Sequence, residues 1–343
     1  MLRCLHSSSK VQGPQCSGQP CAAFRARAGG SILLARTRMS RISKLLNKDR
    51  MSHVIAIANQ KGGVGKTTTA INLGASLAVA EKRTLVVDID PQGNATSGLG
   101  VEDRKSLHTV YDVLIGDKPI EECIVRNVHF PCLDIVTSSR DLVGAEIELV
   151  HAIEREKILR KAINTVRDQY EYILVDCPPS LGLLTLNTLT AADSVLIPIQ
   201  CEFYALEGLS QLLGTVRVVQ KGLNPDLDIE GVLLTMYDRR LNLSTQVAAE
   251  AREYFGAKVY RTAIPRNVSL AEAPSFGKPI VLYDVLSTGA QSYLALAQEL
   301  IEKHEGVGAV SWRDATGSEK DLVPSLVNTW IPRSRPAKSA SCP

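Results

Sequence analysis

The chain alternates short apolar runs with stretches in which apolar residues recur every three or four positions. Residues 54–58 form a β-branched apolar run, and Ala70, Leu73 and Leu77 follow at helical spacing. Residues 83–90, 133–137, 172–176, 193–200 and 229–236 read as further strands. They are apolar on both faces, as strands inside a parallel sheet are. Residues 109–114, 202–219 and 242–255 read as helices, the second carrying Leu206, Leu209, Leu212, Leu213 and Val216 on one face. Residues 141–168 read as one amphipathic surface helix, 258–267 as a short strand running into a loop, and 291–303 as a closing amphipathic helix. Strands and helices alternating at this length predict an α/β fold. It is a doubly wound, mostly parallel sheet with helices on both faces, in a single domain over residues 51–305. The periodicity stops outside those bounds, so residues 1–50 read as a disordered leader and 306–343 as a disordered tail.

Candidate chemistry collects at the ends of the strands. After the first strand comes Lys61-Gly-Gly-Val-Gly-Lys-Thr-Thr68, which opens the first helix. Strand, glycine turn and helix start are the context of a phosphate-binding loop (P-loop). The glycines Gly62, Gly63 and Gly65, with Val64, let backbone N–H groups point inward, and the helix N-terminus adds partial positive charge. Lys66 is expected to reach the β- and γ-phosphates of a nucleotide, and the Thr67 hydroxyl to bind Mg²⁺. The strand at 83–90 ends in two carboxylates. Asp90 is placed to polarise an attacking water and Asp88 to serve the metal's water shell. The run 172–176 ends in Asp176, the arrangement that holds Mg²⁺ through water, followed by the chain-breaking Pro178-Pro179.

Composition narrows the partners. Of 343 residues, 45% are hydrophobic, enough for a substantial core, and the formal net charge is only +3. That charge is uneven: residues 1–50 hold ten Lys and Arg against a single acid, Asp49, and the remainder is acidic. A nucleic-acid site must therefore be a local patch rather than a global field. The body's cysteines, Cys123, Cys132, Cys177 and Cys201, are scattered, which suits reduced thiols in a cytosol-like compartment. No apolar run approaches the length of a membrane span.

A second lysine, Lys61, inside a loop already holding Lys66 is electrostatically expensive unless extra phosphate charge is present. Here Gln60 also stands where the general loop pattern has Gly. Lys-Gly-Gly-Val-Gly-Lys-Thr-Thr resembles the deviant Walker A motif of the ParA/MinD family of P-loop ATPases. Asp88-Ile-Asp-Pro-Gln-Gly-Asn94 matches that family's second motif, and Ile264-Pro-Arg-Asn267 its adenine loop. From about Val54 to about Glu305 the chain resembles ParA/Soj-type chromosome-partitioning ATPases. The alphaproteobacterial members are nearest in the stretches 233–240 and 258–262.

The resemblance implies ATP and Mg²⁺ as cofactors and Asp90 as the hydrolysis residue. It implies Pro265 and Asn267 as base contacts and Lys61 reaching across an ATP-sandwich homodimer. Such a dimer would bind DNA non-specifically, with Arg239, Arg240, Arg252, Lys258 and Arg261 as candidate contacts, until a ParB-type centromere-binding partner stimulates hydrolysis. The expected place is the cytoplasm, on the nucleoid. Residues 1–50 equally fit an organellar transit peptide or translated upstream sequence with Met51 as the start; the bacterial style of the body favours the second.

Two rival readings compete with this one. A MinD-like ATPase that positions division machinery on membranes needs a basic amphipathic C-terminal helix. The last helix here carries Glu299, Glu302 and Glu305 instead, so no membrane partner is expected. A P-loop amidotransferase or synthetase of cofactor metabolism is expected to need an added substrate domain, for which no length is available.

Overall fold

The computed structural model describes residues 52–101, 108–202 and 205–306, and the side chains of 205–208 are outside it. The leader and tail readings, and Leu206, therefore lie outside the described residues. Seven strands are present: β1 (His53–Ile57), β2 (Thr84–Asp88), β3 (Ile124–Val125), β4 (Leu133–Val136), β5 (Tyr172–Asp176), β6 (Ser194–Gln200) and β7 (Asp228–Thr235). They form one sheet in the order β3-β4-β2-β5-β1-β6-β7. All neighbours pair in parallel except β3, a two-residue edge strand antiparallel to β4 that the hydrophobic pattern is too short to reveal.

The helices follow in chain order as α1 (Lys66–Val79), α2 (Asn94–Gly98), α3 (Val110–Leu114), α4 (Leu142–Glu148), α5 (Ile158–Val166) and α6 (Leu183–Ala191). Then come α7 (Ala205–Gly222), α8 (Asn242–Phe255), α9 (Val268–Glu272), α10 (Ile280–Tyr283) and α11 (Thr288–His304). Side chains alternate across each strand, so each strand feeds two cores. Val54, Val87, Val175 and Ile197 face one side, with Leu159, Leu189 and Leu212 from α5, α6 and α7. Ile55, Leu174, Leu196 and Leu233 face the other, against Leu73 and Leu77 of α1 and Tyr293, Leu296 and Leu300 of α11. Each such fully buried side chain contributes about 1.5–3 kcal/mol. Helix α1 lies close to the sheet because Gly74 has no side chain: a Cβ there would stand 2.9 Å from Val86 Cγ2.

Two expectations need correction. Residues 141–168 are not one helix: α4 ends at Glu148, and Glu154, at φ 53°, turns the chain into the left-handed region before α5. The restart is held from α6, where Asn187 accepts from Leu159 N at 3.2 Å and donates to Arg155 O at 2.7 Å. Leu142, Ala145 and Leu149 are buried, but Val143, Ile147, Val150 and Ile153 are exposed, so only part of the apolar period faces the core. Residues 258–267 are not a strand of the sheet either. They run beside β7 with isolated bridges at Val232–Val259 and Tyr237–Pro265. Tyr260 explains the irregularity, because its ring occupies the space a side chain on Gly231 would need (2.6 Å from a Cβ).

The N-terminal edge of the sheet is closed by charge and stacking. The buried Glu230 accepts from Ser194 Oγ at 2.7 Å, Lys303 Nζ at 2.6 Å and His304 Nε2 at 3.2 Å, which ties α11 to β6 and β7. His53 stacks on His304 with ring centroids 3.8 Å apart. Burial first, and His304 second, lower its pKa to about 4. An unfolded histidine takes up its proton near ~6.5, so between those values the unfolded chain binds more protons and stability falls as pH falls. A His53→Phe variant is expected to flatten the decline in melting temperature between pH 6.5 and 4, read by circular dichroism. An unchanged slope would remove His53 as its source.

Candidate nucleotide site

Helix α1 begins without a side-chain cap: its N-cap is Gly65, at φ 88°, and Gly63 before it stands at φ 73°. The first N–H groups of the helix are therefore presented to the loop, which side chains at these left-handed positions would obstruct. At Gly62 and Gly63 no described protein atom lies within 4 Å of where a Cβ would be. The loop is thus open at these two exposed glycines. It is tied down from below by Thr235 Oγ1, which donates to Val64 O at 2.8 Å, and by Asn59, which accepts from Lys61 N at 3.0 Å and donates to Pro198 O at 2.7 Å.

The parallel register brings the acids beside this loop. Ile57 pairs with Asp176, and Asp176 with Asp88, across β1, β5 and β2. Lys66 is 7% exposed and donates to Lys61 O at 3.3 Å. Burial lowers its pKa, opposed first by the negative field of Asp176. Asp176 is fully buried, and neither carboxylate oxygen has a hydrogen-bond partner among the described residues. Burial, then the neighbouring Asp88, push its pKa well up, while the Thr67 side chain pulls it down. A buried, unpartnered carboxylate next to a hydroxyl fits a divalent cation. Among the described residues no group of three or more His, Cys, Asp or Glu could hold a metal alone. An ion here would take its remaining oxygens from phosphate and water.

Asp88 is hydrogen-bonded within the chain. Its Oδ2 accepts from Thr96 N and Thr96 Oγ1, both at 2.8 Å, and its Oδ1 from Asp90 N at 3.2 Å. These bonds shape the loop and leave Oδ1 with one further acceptor site. Burial nonetheless raises its pKa to about 6. Asp90 sits at the mouth, 6% exposed, with Oδ1 accepting from Gln92 N at 3.0 Å.

Residues 52–229 match the family described as an AAA domain. The chain is 61% identical over 250 residues to the sporulation initiation inhibitor protein Soj of Bacillus subtilis, covering 73% of this chain and 98% of that protein. It is 57% identical over 253 residues to the chromosome partitioning protein ParA of Myxococcus xanthus, covering 74% and 89%. The chain belongs to the ParA/Soj family. Among solved structures, a cobyrinic acid a,c-diamide synthase from Mycobacterium smegmatis with bound ATP analog and magnesium superposes with TM-score 0.65 at 36% identity. That match covers 75% of this chain and 97% of the other. The cell division ATPase MinD of Pyrococcus furiosus superposes with TM-score 0.61 at 26% identity, covering 74% and 99%. The synthase corrects one expectation, since a chain so described is matched almost end to end and length alone does not exclude that class. Identity separates the two, at 61% against 36%.

With the ParA/Soj family established, its remaining expected positions can be placed. Lys61 Nζ lies 3.6 Å from Glu202 Oε2, and the same carboxylate lies 3.7 Å from Arg266, in the segment expected to flank the base. Pro265 bridges to Tyr237. The Asn267 side chain caps α9 by accepting from Leu270 N at 3.1 Å and donates to Thr288 Oγ1 at 3.0 Å. These two bonds fix the side chain and leave one amide N–H and one lone pair unused by them.

The five basic candidates do not form one patch. Arg239 and Arg240 are exposed just past the C-terminal end of β7, and Arg240 forks onto Asp238 at 2.7 Å; Arg252 is exposed on α8. Lys258 sits at the other end of β7, bound to Asp228 at 3.0 Å and Ile229 O at 2.7 Å. Arg261 lies between Glu299 at 3.5 Å and Glu302 at 3.4 Å. Arg240, Lys258 and Arg261 thus already face acids within the chain. Sequence reasoning missed Thr96, Ser138 and Glu202, which carry no motif of their own and matter only through what they touch. Among the described residues no helix is long and apolar enough to cross a membrane.

Proposed function

We propose that the chain is a chromosome-partitioning ATPase of the ParA/Soj type that hydrolyses ATP to ADP and phosphate. The observation that carries this reading is the site itself: an open glycine loop with Lys66 buried in it, and Asp176 unpartnered at the end of the neighbouring strand. Backbone N–H groups from Gly62 to Thr68 and the Lys66 ammonium receive the phosphates. Thr67 and Asp176 are the residues that would hold Mg²⁺, which when bound neutralises phosphate charge. Asp90 orients the attacking water, and Pro265 with its neighbours flanks the base.

The same reading assigns the ATP-bound chain to a homodimer in which Lys61 reaches the partner's nucleotide. That dimer binds DNA phosphates non-specifically, acts on the nucleoid in the cytoplasm, and is released when a ParB-type protein stimulates hydrolysis. Arg239 and Arg252 are the preferred DNA contacts, because Arg240, Lys258 and Arg261 already face acids. The test is duplex binding by the full chain with ATP, ADP or no nucleotide, alongside an Asp90→Ala variant. Binding is expected only with ATP, to persist in Asp90→Ala, and to weaken steeply with salt as phosphate contacts do. Binding to anionic vesicles instead of DNA would overturn the partitioning role in favour of a MinD-like one.

A further inference from the structure

Four buried residues around the Asp90 turn close a ring of hydrogen bonds. Ser138 N donates to Thr96 Oγ1 at 3.0 Å, so the Thr96 hydroxyl proton is directed to Asp88 Oδ2 at 2.8 Å. Asp88 Oδ1 accepts from Asp90 N at 3.2 Å, and Asp90 O accepts from Ser138 Oγ at 2.5 Å, which returns the ring to its start. Asp88, Asp90, Thr96 and Ser138 are 0%, 6%, 6% and 9% exposed, so water competes for none of these bonds effectively. The ring joins three separate pieces of chain: the end of β2, the short helix α2 and the segment after β4.

Its geometry singles out the backbone of Asp90. The residue is held at its N–H by Asp88 and at its C=O by both Ser138 Oγ and Gly93 N, the latter at 2.9 Å. The carboxylate is left to project from a peptide fixed on either side. Asp88 in this arrangement is an internal acceptor that turns Thr96 toward the loop.

We propose that Thr96 and Ser138 are positioning residues for hydrolysis, setting the aim of Asp90 through Asp88 and the Asp90 peptide without touching nucleotide. The proposal rests on the reading of Asp90 as the hydrolysis residue. Thr96→Val keeps the shape of the side chain, removes the proton given to Asp88 and leaves Ser138 N without its acceptor. Ser138→Ala removes only the bond to Asp90 O. A misaimed catalytic group lowers turnover with little effect on binding, whereas a merely structural role would degrade both together.

The experiment is steady-state ATP turnover by the full chain with Mg²⁺, together with equilibrium binding of a fluorescent ATP analogue, for Thr96→Val, Thr96→Ser, Ser138→Ala and Asp90→Ala. Thr96→Val is expected to lower kcat by about 10- to 100-fold, the scale of a small misplacement of a reacting group. Its analogue affinity is expected to stay within about twofold, as for a contribution made in the transition state. Thr96→Ser is expected to recover most of that turnover, Ser138→Ala to lower kcat in the same selective way, and Thr96→Val added to Asp90→Ala to cause no further loss. Wild-type kcat in Thr96→Val, or an equal loss of binding and turnover, would overturn the proposal. If Thr96→Val does not fold, Ser138→Ala decides alone, and an unchanged kcat there overturns it. Wild-type turnover in Asp90→Ala would instead overturn the role of Asp90 and leave the ring without a target. That result is distinguishable because Thr96→Val is then judged against an active parent.

Discussion

Asp176→Asn is expected to melt at a higher temperature than the wild-type chain when magnesium and nucleotide are absent, and to lose ATP turnover by about 10- to 100-fold, the usual scale for removing a group that supports a metal. Both effects come from one feature. Asp176 is fully buried, its oxygens find no partner, and Asp88 and Asp90 add like charge around it. A carboxylate in that position is destabilising until a cation arrives, and an amide of the same shape removes the charge. Because the folded chain holds the Asp176 proton to higher pH than the unfolded chain does, the folded state binds more protons above the ordinary carboxylate range. Its stability therefore falls as pH rises through that window. The variant escapes this loss, so its advantage in melting temperature should be larger at pH 8 than at pH 5. Mg²⁺ with an ATP analogue should reverse the order by stabilising the wild-type chain more, since a ligand stabilises only the state that binds it. Thermal melts at two pH values, with and without the ligand, read all of this. A variant less stable than wild type at pH 8 without ligand would contradict the account.

The features that were legible in the sequence share a physical reason. A parallel sheet carries all its strand ends to one edge, so Lys66, Asp88, Asp90 and Asp176 could be placed together without any knowledge of their contacts. They end or follow three strands, β1, β2 and β5, and strands buried on both faces give strong local signals. The illegible features depend on meetings between distant segments. Ser138 and Thr96 are 42 positions apart, and nothing in either neighbourhood anticipates a shared acceptor. Lys258 looks like a surface charge until the fold brings Asp228, 30 positions earlier, against it. The stretch 141–168 misleads for a further reason. Its apolar period continues through Ile147, Val150 and Ile153, which the fold leaves exposed, while a left-handed Glu154 breaks the helix they seemed to continue.

Lys61→Ala is expected to abolish ATP-dependent DNA binding while leaving ATP binding by the single chain nearly intact. The two loop lysines are differently placed. Lys66 is buried in the loop, whereas the Lys61 side chain is 33% exposed, with Nζ 3.6 Å from the half-exposed Glu202. Lys66 can serve its own nucleotide. Lys61 is the more exposed of the two and is the one assigned to the second set of phosphates that the proposed partner subunit would bring. An ion pair this exposed contributes only about 0–1 kcal/mol, so Glu202 can release Lys61 readily when stronger anions compete. Truncating Lys61 removes one cation from each subunit of the proposed dimer, two in all against its two nucleotides, and so is expected to remove the dimer before it removes the ligand. Light scattering and duplex binding with ATP, run beside nucleotide titration of the same sample, separate the two effects. The outcome that contradicts this assignment is a Lys61→Ala chain that still dimerises and binds DNA with ATP as the wild type does, or one that loses nucleotide binding as completely as Lys66→Ala. Either would place Lys61 in its own subunit's site and leave the dimer to be explained by other residues.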